Sequence, residues 1–294
     1  MNNNQDVIVR GMAMDGKVRV FAALSTAIVE ELRARHDTWP TATAALGRTL
    51  TAGAMMGSML KGQEKLTIQV RGDGPLGQIV VDANANGEVR GYVTEPHIDL
   101  PLNDKGKLDV AGAVGRDGLL YVTKDLGMKE PYRGTSPIVS GELAEDFTYY
   151  FSTSEQTPSA VALGVLVNPD YSVKAAGGFI LQLLPGLSDS EITVIEQKLA
   201  ALVPVTTLIE QGAGPEDILH QLFESVQIYD RSPIQFSCTC SQDRVEKTLI
   251  SLGKEEVDAL INELGRAEVI CHFCNEKYIL EKAELEELRA KHFH

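Results

Sequence analysis

The spacing of apolar residues divides the first 186 residues into short strands and helices. Alternating runs predict strands at 6–13 and 17–23 around the Asp15-Gly16 turn, and Ser25 or Thr26 would cap the helix that follows. The other elements predicted here are a helix over 41–60 rich in Ala, Gly and Met, strands at 65–71, 77–82, 88–93, 119–124, 160–167 and 179–184, a loop over 94–117, and a helix over 142–152. Hairpins and helices alternate without a regular βαβ order, so the pattern predicts an α+β domain.

The pattern changes after Pro185-Gly186. From residue 188 to 229 the chain is predicted to be helical, in short pieces separated by Pro204, Gly212 and Gly214-Pro215. Apolar residues recur at helical spacing at positions 192, 195, 199 and 202. Helices this short are marginal in water on their own, so their apolar side needs a packing partner.

A small third segment follows Ser232-Pro233. It is predicted to contain helices at 242–252 and 254–264, each followed by a glycine, strands at 268–270 and 278–280 around a Cys-x-x-Cys turn, and a helix at 281–290. A segment of about sixty residues has too small an apolar core to fold stably without a further stabilising element, such as a bound metal ion. The predicted domains are therefore 1–186, a helical linker at 187–231, and a metal-binding domain at 232–294.

Composition narrows the classes of protein. The formal net charge is -14, from 27 Lys and Arg against 41 Asp and Glu, which disfavours binding to nucleic acid. The sequence has no apolar run long enough to span a bilayer and no secretory leader, so we expect a cytoplasmic protein that does not bind membranes. All four cysteines lie between positions 238 and 274, unlike the distribution in a disulfide-stapled secreted protein.

These four cysteines carry the strongest chemical signal. Cys238 and Cys240 form one close pair, and Cys271 and Cys274 form a second pair after thirty intervening residues. Two pairs of thiolates complete a tetrahedral zinc site, so we predict one Zn²⁺ per chain on these four residues. His272 lies within the second pair and could replace one sulfur, but we expect an exposed turn residue. A four-thiolate site has no open position for water, which argues against hydrolysis.

Three other motifs in the sequence have plainer structural explanations. Cys271-x-x-Cys274 could be a thiol-disulfide oxidoreductase motif, but residues 275–280 suggest a strand where that chemistry needs a helix. The Gly-x-Gly-x-x-Gly pattern at 72–77 precedes a strand, which favours a hairpin turn over a dinucleotide site. Gly53-x-x-x-Gly57 suits a closely packed soluble helix. A zinc-ribbon interaction or nucleic-acid module remains an alternative and would need a basic face near the zinc.

The cysteine tail, with Phe-Ser-Cys-Thr-Cys-Ser at 236–241 and Cys-His-Phe-Cys at 271–274, resembles that of the redox-regulated bacterial heat-shock holdases, the thirty-three-kilodalton chaperonin family. The resemblance extends upstream and covers essentially the whole chain. It includes Tyr-Arg-Gly at 132–134, Ser-Gly-Glu-Leu-Ala-Glu-Asp at 140–146, Tyr-Phe-Ser-Thr-Ser-Glu-Gln-Thr-Pro-Ser at 150–159, Gly-Gly-Phe at 177–179 and Gln-Leu-Leu-Pro-Gly at 182–186.

The resemblance implies a molecular chaperone rather than an enzyme. It implies ATP-independent binding of unfolding client proteins under oxidative and heat stress, by a chain that is a homodimer when active. It also implies a redox switch, in which zinc is lost and disulfides form between Cys238 and Cys240 and between Cys271 and Cys274. The N-terminal domain would bind clients and form the dimer.

Overall fold

The computed structural model describes residues 5–98 and 100–293, and the contacts divide the chain into two units, Met1–Ser237 and Cys238–His294. Mixed sheets and helices form the first unit, so the α+β prediction is confirmed. Within the described residues, no helix is both long and apolar enough to cross a membrane.

The first unit contains eleven strands and seven helices among its described residues. The strands are β1 (Val7–Ala13), β2 (Val18–Leu24), β3 (Lys65–Gly72), β4 (Gln78–Asn84), β5 (Glu88–Val93), β6 (Gly118–Asp125), β7 (Tyr132–Pro137), β8 (Ser159–Val167), β9 (Val173–Leu183), β10 (Val226–Pro233) and β11 (Gln235–Phe236). The helices are α1 (Thr26–His36), α2 (Pro40–Gly57), α3 (Val110–Val114), α4 (Ala144–Thr153), α5 (Asp189–Ala201), α6 (Val205–Glu210) and α7 (Pro215–Leu222). The short helix α3 lies in the segment predicted to be a loop.

Two sheets form this unit. One has five antiparallel strands in the order β10-β1-β2-β9-β8. The other has six strands in the order β11-β5-β4-β3-β6-β7, with only the β11–β5 pair parallel. Helix α2 packs against strands of both sheets, so the main apolar cluster is built around it.

Small residues on α2 make this close packing feasible. A Cβ atom at Gly47 would lie 2.6 Å from a methyl carbon of Val29, and one at Gly53 would lie 2.8 Å from a methyl carbon of Val81. The Gly53-x-x-x-Gly57 motif is therefore a packing surface of a soluble helix, as predicted. The glycine pattern at 72–77 is the β3–β4 hairpin turn, as predicted.

The helices α5, α6 and α7 cover the face of the five-stranded sheet opposite α2. Ile195, Leu208 and Leu219 join Val9, Val20 and other sheet residues in a second apolar cluster. The partner that these short helices require is thus the first unit's own sheet. Ion pairs add to the contact, with Glu191 of α5 2.8 Å from Lys17 and Glu216 of α7 2.5 Å from Arg231.

The helical prediction was wrong at its end. Residues 226–229, predicted as helical, belong to β10, which pairs with β1 from Val226 to Pro233. Exposure alternates along β10, because one side of the strand faces the sheet's packing layer and the other faces solvent. The free edge of β1 provides backbone hydrogen-bond partners that no local pattern reveals.

A buried carboxylate organises the loop before α4. Asp146 accepts hydrogen bonds from the backbone N–H groups of Val139 (2.8 Å), Ser140 (3.0 Å) and Leu143 (2.9 Å). Nearby, the buried Tyr150 hydroxyl donates to Glu155, which also pairs with Lys124. These contacts give part of the motif at 140–159 a structural explanation, since a buried charge needs such partners.

The second unit contains α8 (Gln242–Leu252), α9 (Lys254–Ala259), β12 (Arg266–Ile270), β13 (Lys277–Glu281) and α10 (Lys282–His292), with a π-helical turn at Leu260–Leu264 after α9. The predicted order of two helices, a hairpin and a last helix is confirmed. Its core consists of eight buried apolar side chains, among them Leu249, Leu280 and Leu285.

Candidate metal centre

One extended segment and one turn of the second unit position the four cysteines. Cys238 and Cys240 lie in the extended segment just before α8, whose first turn is capped by Ser241 accepting from the N–H of Arg244 at 3.3 Å. The guanidinium of Arg244 also donates to Thr239 at 2.6 Å, which ties the segment between the two cysteines to the helix.

The second pair lies in the turn that joins β12 to β13. The N–H of Cys271 donates to the carbonyl of Glu276 at 2.9 Å, and the N–H of Asn275 donates to the carbonyl of Cys271 at 2.8 Å. Asn275 has a φ of 58°, in the left-handed region that asparagine tolerates well. The antiparallel register from Arg266–Glu281 to Ile270–Lys277 fixes where this turn falls.

The fold brings the four sulfur atoms together. Their Sγ atoms all lie within 4.8 Å of one another, with 3.7 Å between Cys238 and Cys271 and 3.2 Å between Cys240 and Cys274. Tetrahedral zinc with Zn–S bonds of about 2.3 Å needs S–S separations of roughly 3.8 Å. The donor set and its spacing therefore fit a zinc ion, and these cysteines lie within metal-binding distance.

The four thiols differ in environment. Cys274 is buried, whereas the other three are half-buried. Burial raises the pKa of the Cys274 thiol far above its usual range, and the neighbouring thiols add to that effect. Burial also acts to raise the pKa of Cys238, but the N–H of Cys240 and the other sulfur atoms outweigh it and lower that pKa to about 7. A thiolate is thus favoured at Cys238 over Cys274.

Tyr278 is a site residue that the sequence analysis missed. Its hydroxyl donates to Cys240 Sγ at 3.1 Å, and this hydrogen bond and burial raise the pKa of Tyr278. Its position in β13 pairs it with Val269, and both side chains pack on the small core. Strand alternation could have placed Tyr278 on the core side, but no local signal indicated a sulfur within reach.

The structure supports neither His272 as a metal ligand nor Cys271-x-x-Cys274 as a thioredoxin-like motif. His272 is exposed and does not belong to the cysteine cluster, in agreement with the expectation of a turn residue. Strand β13 follows Cys274 where a thioredoxin-like dithiol would need a helix, so the dipole that lowers the pKa of an attacking cysteine is not provided by this segment.

An α+β unit followed by a small unit with four converging cysteines defines a class of two-unit proteins with a candidate four-cysteine metal centre. The family model described as Hsp33 protein matches residues 6–281. The 33 kDa chaperonin of Geobacillus kaustophilus is 54% identical over 286 residues, covering 97% of each chain, and that of Brevibacillus brevis is 57% identical over 284 residues, covering 96% of this chain and 98% of the relative.

A solved structure agrees with these relatives. The crystal structure of the Thermotoga maritima 33 kDa chaperonin, described as a heat shock protein 33 homolog, matches with a TM-score of 0.92 and 39% identity, over 98% of this chain and 99% of that one. The chain belongs to the Hsp33 family of chaperones.

Proposed function

We propose that this chain is a redox-regulated, ATP-independent holdase that binds unfolding proteins when oxidants convert its zinc-bound cysteines to disulfides. The observation that carries the proposal is the set of four Sγ atoms within 4.8 Å of one another, in a unit whose described residues form a core of only eight buried apolar side chains. The family membership supports the chaperone class.

The fold of the second unit would depend on metal. Cys238, Cys240, Cys271 and Cys274 would hold one zinc ion per chain in the reduced form. Bound zinc supplies folding free energy on the order of 10–16 kcal/mol, far more than a core this small provides. Loss of the thiolate ligands would therefore unfold Cys238–His294.

Oxidation removes these ligands stepwise. A cysteine thiolate attacks one oxygen of a peroxide, the O–O bond breaks, and after proton transfer a sulfenic acid and water result. A second thiol then attacks the sulfenic sulfur and displaces another water, which leaves a disulfide. Two thiols and one hydrogen peroxide thus give one disulfide and two waters.

We propose that the disulfides join Cys238 to Cys240 and Cys271 to Cys274. The shortest sulfur distances in the reduced fold are instead between the pairs, from Cys238 to Cys271 and from Cys240 to Cys274. Once the unit loosens, the members of each cross-pair are 33 or 34 positions apart in the chain, whereas chain connectivity keeps each neighbouring pair together. Peptide mapping of the oxidised protein tests this pairing.

Client binding would follow from exposure of the helical linker, 187–231. Its apolar side chains now pack on the five-stranded sheet, and β11 connects this region to Cys238 through two residues paired with β5. Unfolding beyond Cys238 would remove the anchor at that end and allow β10 and the helices to detach. The working organisation is therefore a client-binding and dimerising part at 1–186, this linker, and a zinc switch at 232–294.

We also propose a location, an oligomeric state and partners for the protein. The protein would act in the cytoplasm as a homodimer when active, with unfolding proteins as partners and without binding nucleic acid or membranes. The net charge of -14 supports the expectation for nucleic acid. It would have no catalytic activity, and the relatives' name, chaperonin, describes a class of non-enzymes.

Light scattering from a thermally unfolding client tests the function. The oxidised protein is expected to suppress aggregation in proportion to its concentration without ATP, and the reduced zinc-loaded protein is expected to suppress it little. Equal suppression by both forms would contradict redox control. Catalytic turnover of a small disulfide substrate would instead favour an oxidoreductase.

A further inference from the structure

The β1–β2 hairpin carries a methionine at its turn, next to the linker helices. Met14 has a φ of 52°, and its carbonyl accepts from the N–H of Lys17 at 3.1 Å. An open cavity of about 410 Å³ lies between this turn and the helices, and its lining includes Met14, Val194, Ile195 and Phe223.

Met14 belongs to the packing between the helices and the sheet. Its half-buried side chain contacts the apolar cluster formed by Ala13, Ile195, Leu222, Phe223 and their neighbours. The same turn is tied to the start of α5, since Lys17 pairs with Glu191 at 2.8 Å. A change in the Met14 side chain therefore acts directly on the apolar contacts between α5–α7 and the five-stranded sheet, called the seam below.

The other described methionines lack this combination of access and position. Met12 lines the same cavity but does not belong to the cluster that joins the helices to the sheet, and Met59 packs on the cluster around α2. Met55 is fully buried and Met56 is 2% exposed, so oxidants reach them poorly. Met128 is 61% exposed, but it lies outside the cluster that joins the helices to the sheet. Met14 faces a cavity open to solvent and also packs against that cluster.

We propose that Met14 is an oxidation site, and that its conversion to the sulfoxide weakens the packing of α5–α7 on the five-stranded sheet. The thioether sulfur attacks one oxygen of hydrogen peroxide, the O–O bond breaks, and proton transfer releases water as the S–O bond forms. Sulfur is oxidised by two electrons and the peroxide is reduced. The product is a polar, chiral side chain in place of a flexible apolar one.

The cavity has room for the added oxygen atom, but the polar sulfoxide weakens the packing of the helices around it. Its apolar wall, which includes Val194 and Phe223, offers the sulfoxide no hydrogen bond. The polar side chains that line the cavity include Ser225, Gln227 and Lys198, and the Lys198 ammonium donates to the carbonyl of Leu222 at the end of α7, at 2.9 Å. A sulfoxide that stays against the apolar wall is unsatisfied, and one that turns to these polar side chains leaves its apolar contacts or competes for the Lys198 hydrogen bond. Both outcomes loosen the helices, whether or not the four cysteines bind zinc.

The test uses the full-length protein. Hydrogen peroxide treatment is followed by dithiothreitol and zinc, which return the cysteines to the reduced state but leave methionine sulfoxide unchanged. Peptide mass mapping is expected to show one added oxygen on Met14. Hydrogen exchange of residues 189–222 is expected to become about ten times faster, and treatment with methionine sulfoxide reductases is expected to restore the original rate.

Two variants locate the effect. Met14→Leu keeps an unbranched Cβ and a similar volume, and the oxidised variant should retain its slow exchange. Met128→Leu removes an exposed methionine away from the seam and should behave as wild type. An additional variant, Met14→Gln, should speed exchange without oxidant while circular dichroism and zinc content stay unchanged.

Two results would overturn the proposal. One is an unmodified Met14 under conditions that oxidise Met128. The other is an equal gain in exchange for oxidised wild type and oxidised Met14→Leu. Neither readout uses a client protein or zinc release, so a failure here is distinct from a failure of the proposed redox function.

Discussion

The two units of this protein are stabilised in different ways. The first has two large apolar clusters, one around α2 and one beneath α5–α7, and its larger buried side chains include Phe21, Phe147 and Phe151. The second has eight buried apolar side chains and places four cysteines together at one end. Burial of apolar surface can account for the first fold, whereas the second has a much smaller apolar core. On the proposed function, one chain thus combines a unit held by its apolar core with a small unit whose fold would depend on its thiols.

Loss of a cysteine ligand should have the largest effect of the changes considered, and it should destabilise the second unit far more than the first. Cys274→Ser removes the buried thiol, and the zinc contribution on the order of 10–16 kcal/mol would be largely lost. We expect residues 238–293 to lose hydrogen-exchange protection and the linker helices α5–α7 to lose part of theirs, while the core around α2 keeps its protection. Thr248→Ser, an exposed change on α8, is the matched control and should leave both units protected. Persistent protection of the variant's second unit would show that its apolar core is sufficient.

Truncation at two positions tests what the helices contribute to the first unit. A chain ending at Ser237 should fold around α2, but it lacks the attachment beyond Cys238, so hydrogen exchange of α5–α7 should be faster than in the reduced full protein. A chain ending at Gly186 should still fold around α2, but it exposes side chains such as Val9 and Val20, each worth about 1.5–3 kcal/mol of burial. We expect a lower melting temperature and binding of a hydrophobic dye. A disordered 1–186 chain in circular dichroism would refute that domain boundary.

Tyr278→Phe tests whether the hydroxyl next to the cysteines contributes to zinc affinity. The variant loses the hydroxyl that donates to Cys240 Sγ at 3.1 Å but keeps the ring in the core. Outer hydrogen bonds of this type typically contribute about tenfold or more to metal affinity. Zinc transfer to a chromogenic chelator should therefore be about ten times more favourable than for wild type. Tyr229→Phe, exposed in the first unit, is the control, and equal zinc affinity of the two variants would argue against the contribution of the hydroxyl.

The smallest expected effect is a pH dependence confined to the first unit. Burial raises the pKa of Asp6 to about 6, against the N–H groups of Ile28 and Ala27 that donate to it at the start of α1. The folded state then binds the proton more tightly than the unfolded state, so stability is present at low pH and falls as pH rises from about 4 to about 6. Between about pH 5 and about pH 7 the loss is about 1 kcal/mol.

Asp6→Asn should flatten that dependence. Denaturant unfolding of the first unit at both pH values measures it, and Asp15→Asn, in the exposed turn, is the control. An unchanged slope for Asp6→Asn would assign the pH dependence to other groups.

Much of the organisation follows from the sequence alone. Alternating residues predicted the β1–β2 hairpin, small residues predicted the packed helix α2, and glycines marked the ends of two helices in the second unit. The spacing of the cysteines predicted that four thiols could meet. These features are local, because strand alternation, helical spacing and turn residues act over a few positions.

The tertiary structure decided what depends on distant partners. Residues 226–229 form a strand because the edge of β1 lies beside them, more than two hundred residues away in the chain. Asp6 accepts hydrogen bonds from α1, and Tyr278 reaches Cys240, only after the chain has folded. Likewise, the sequence predicted that the linker helices need an apolar partner, but only the fold identified it as the five-stranded sheet. Such contacts form between residues far apart in the chain, and local propensity carries no information about which distant groups meet.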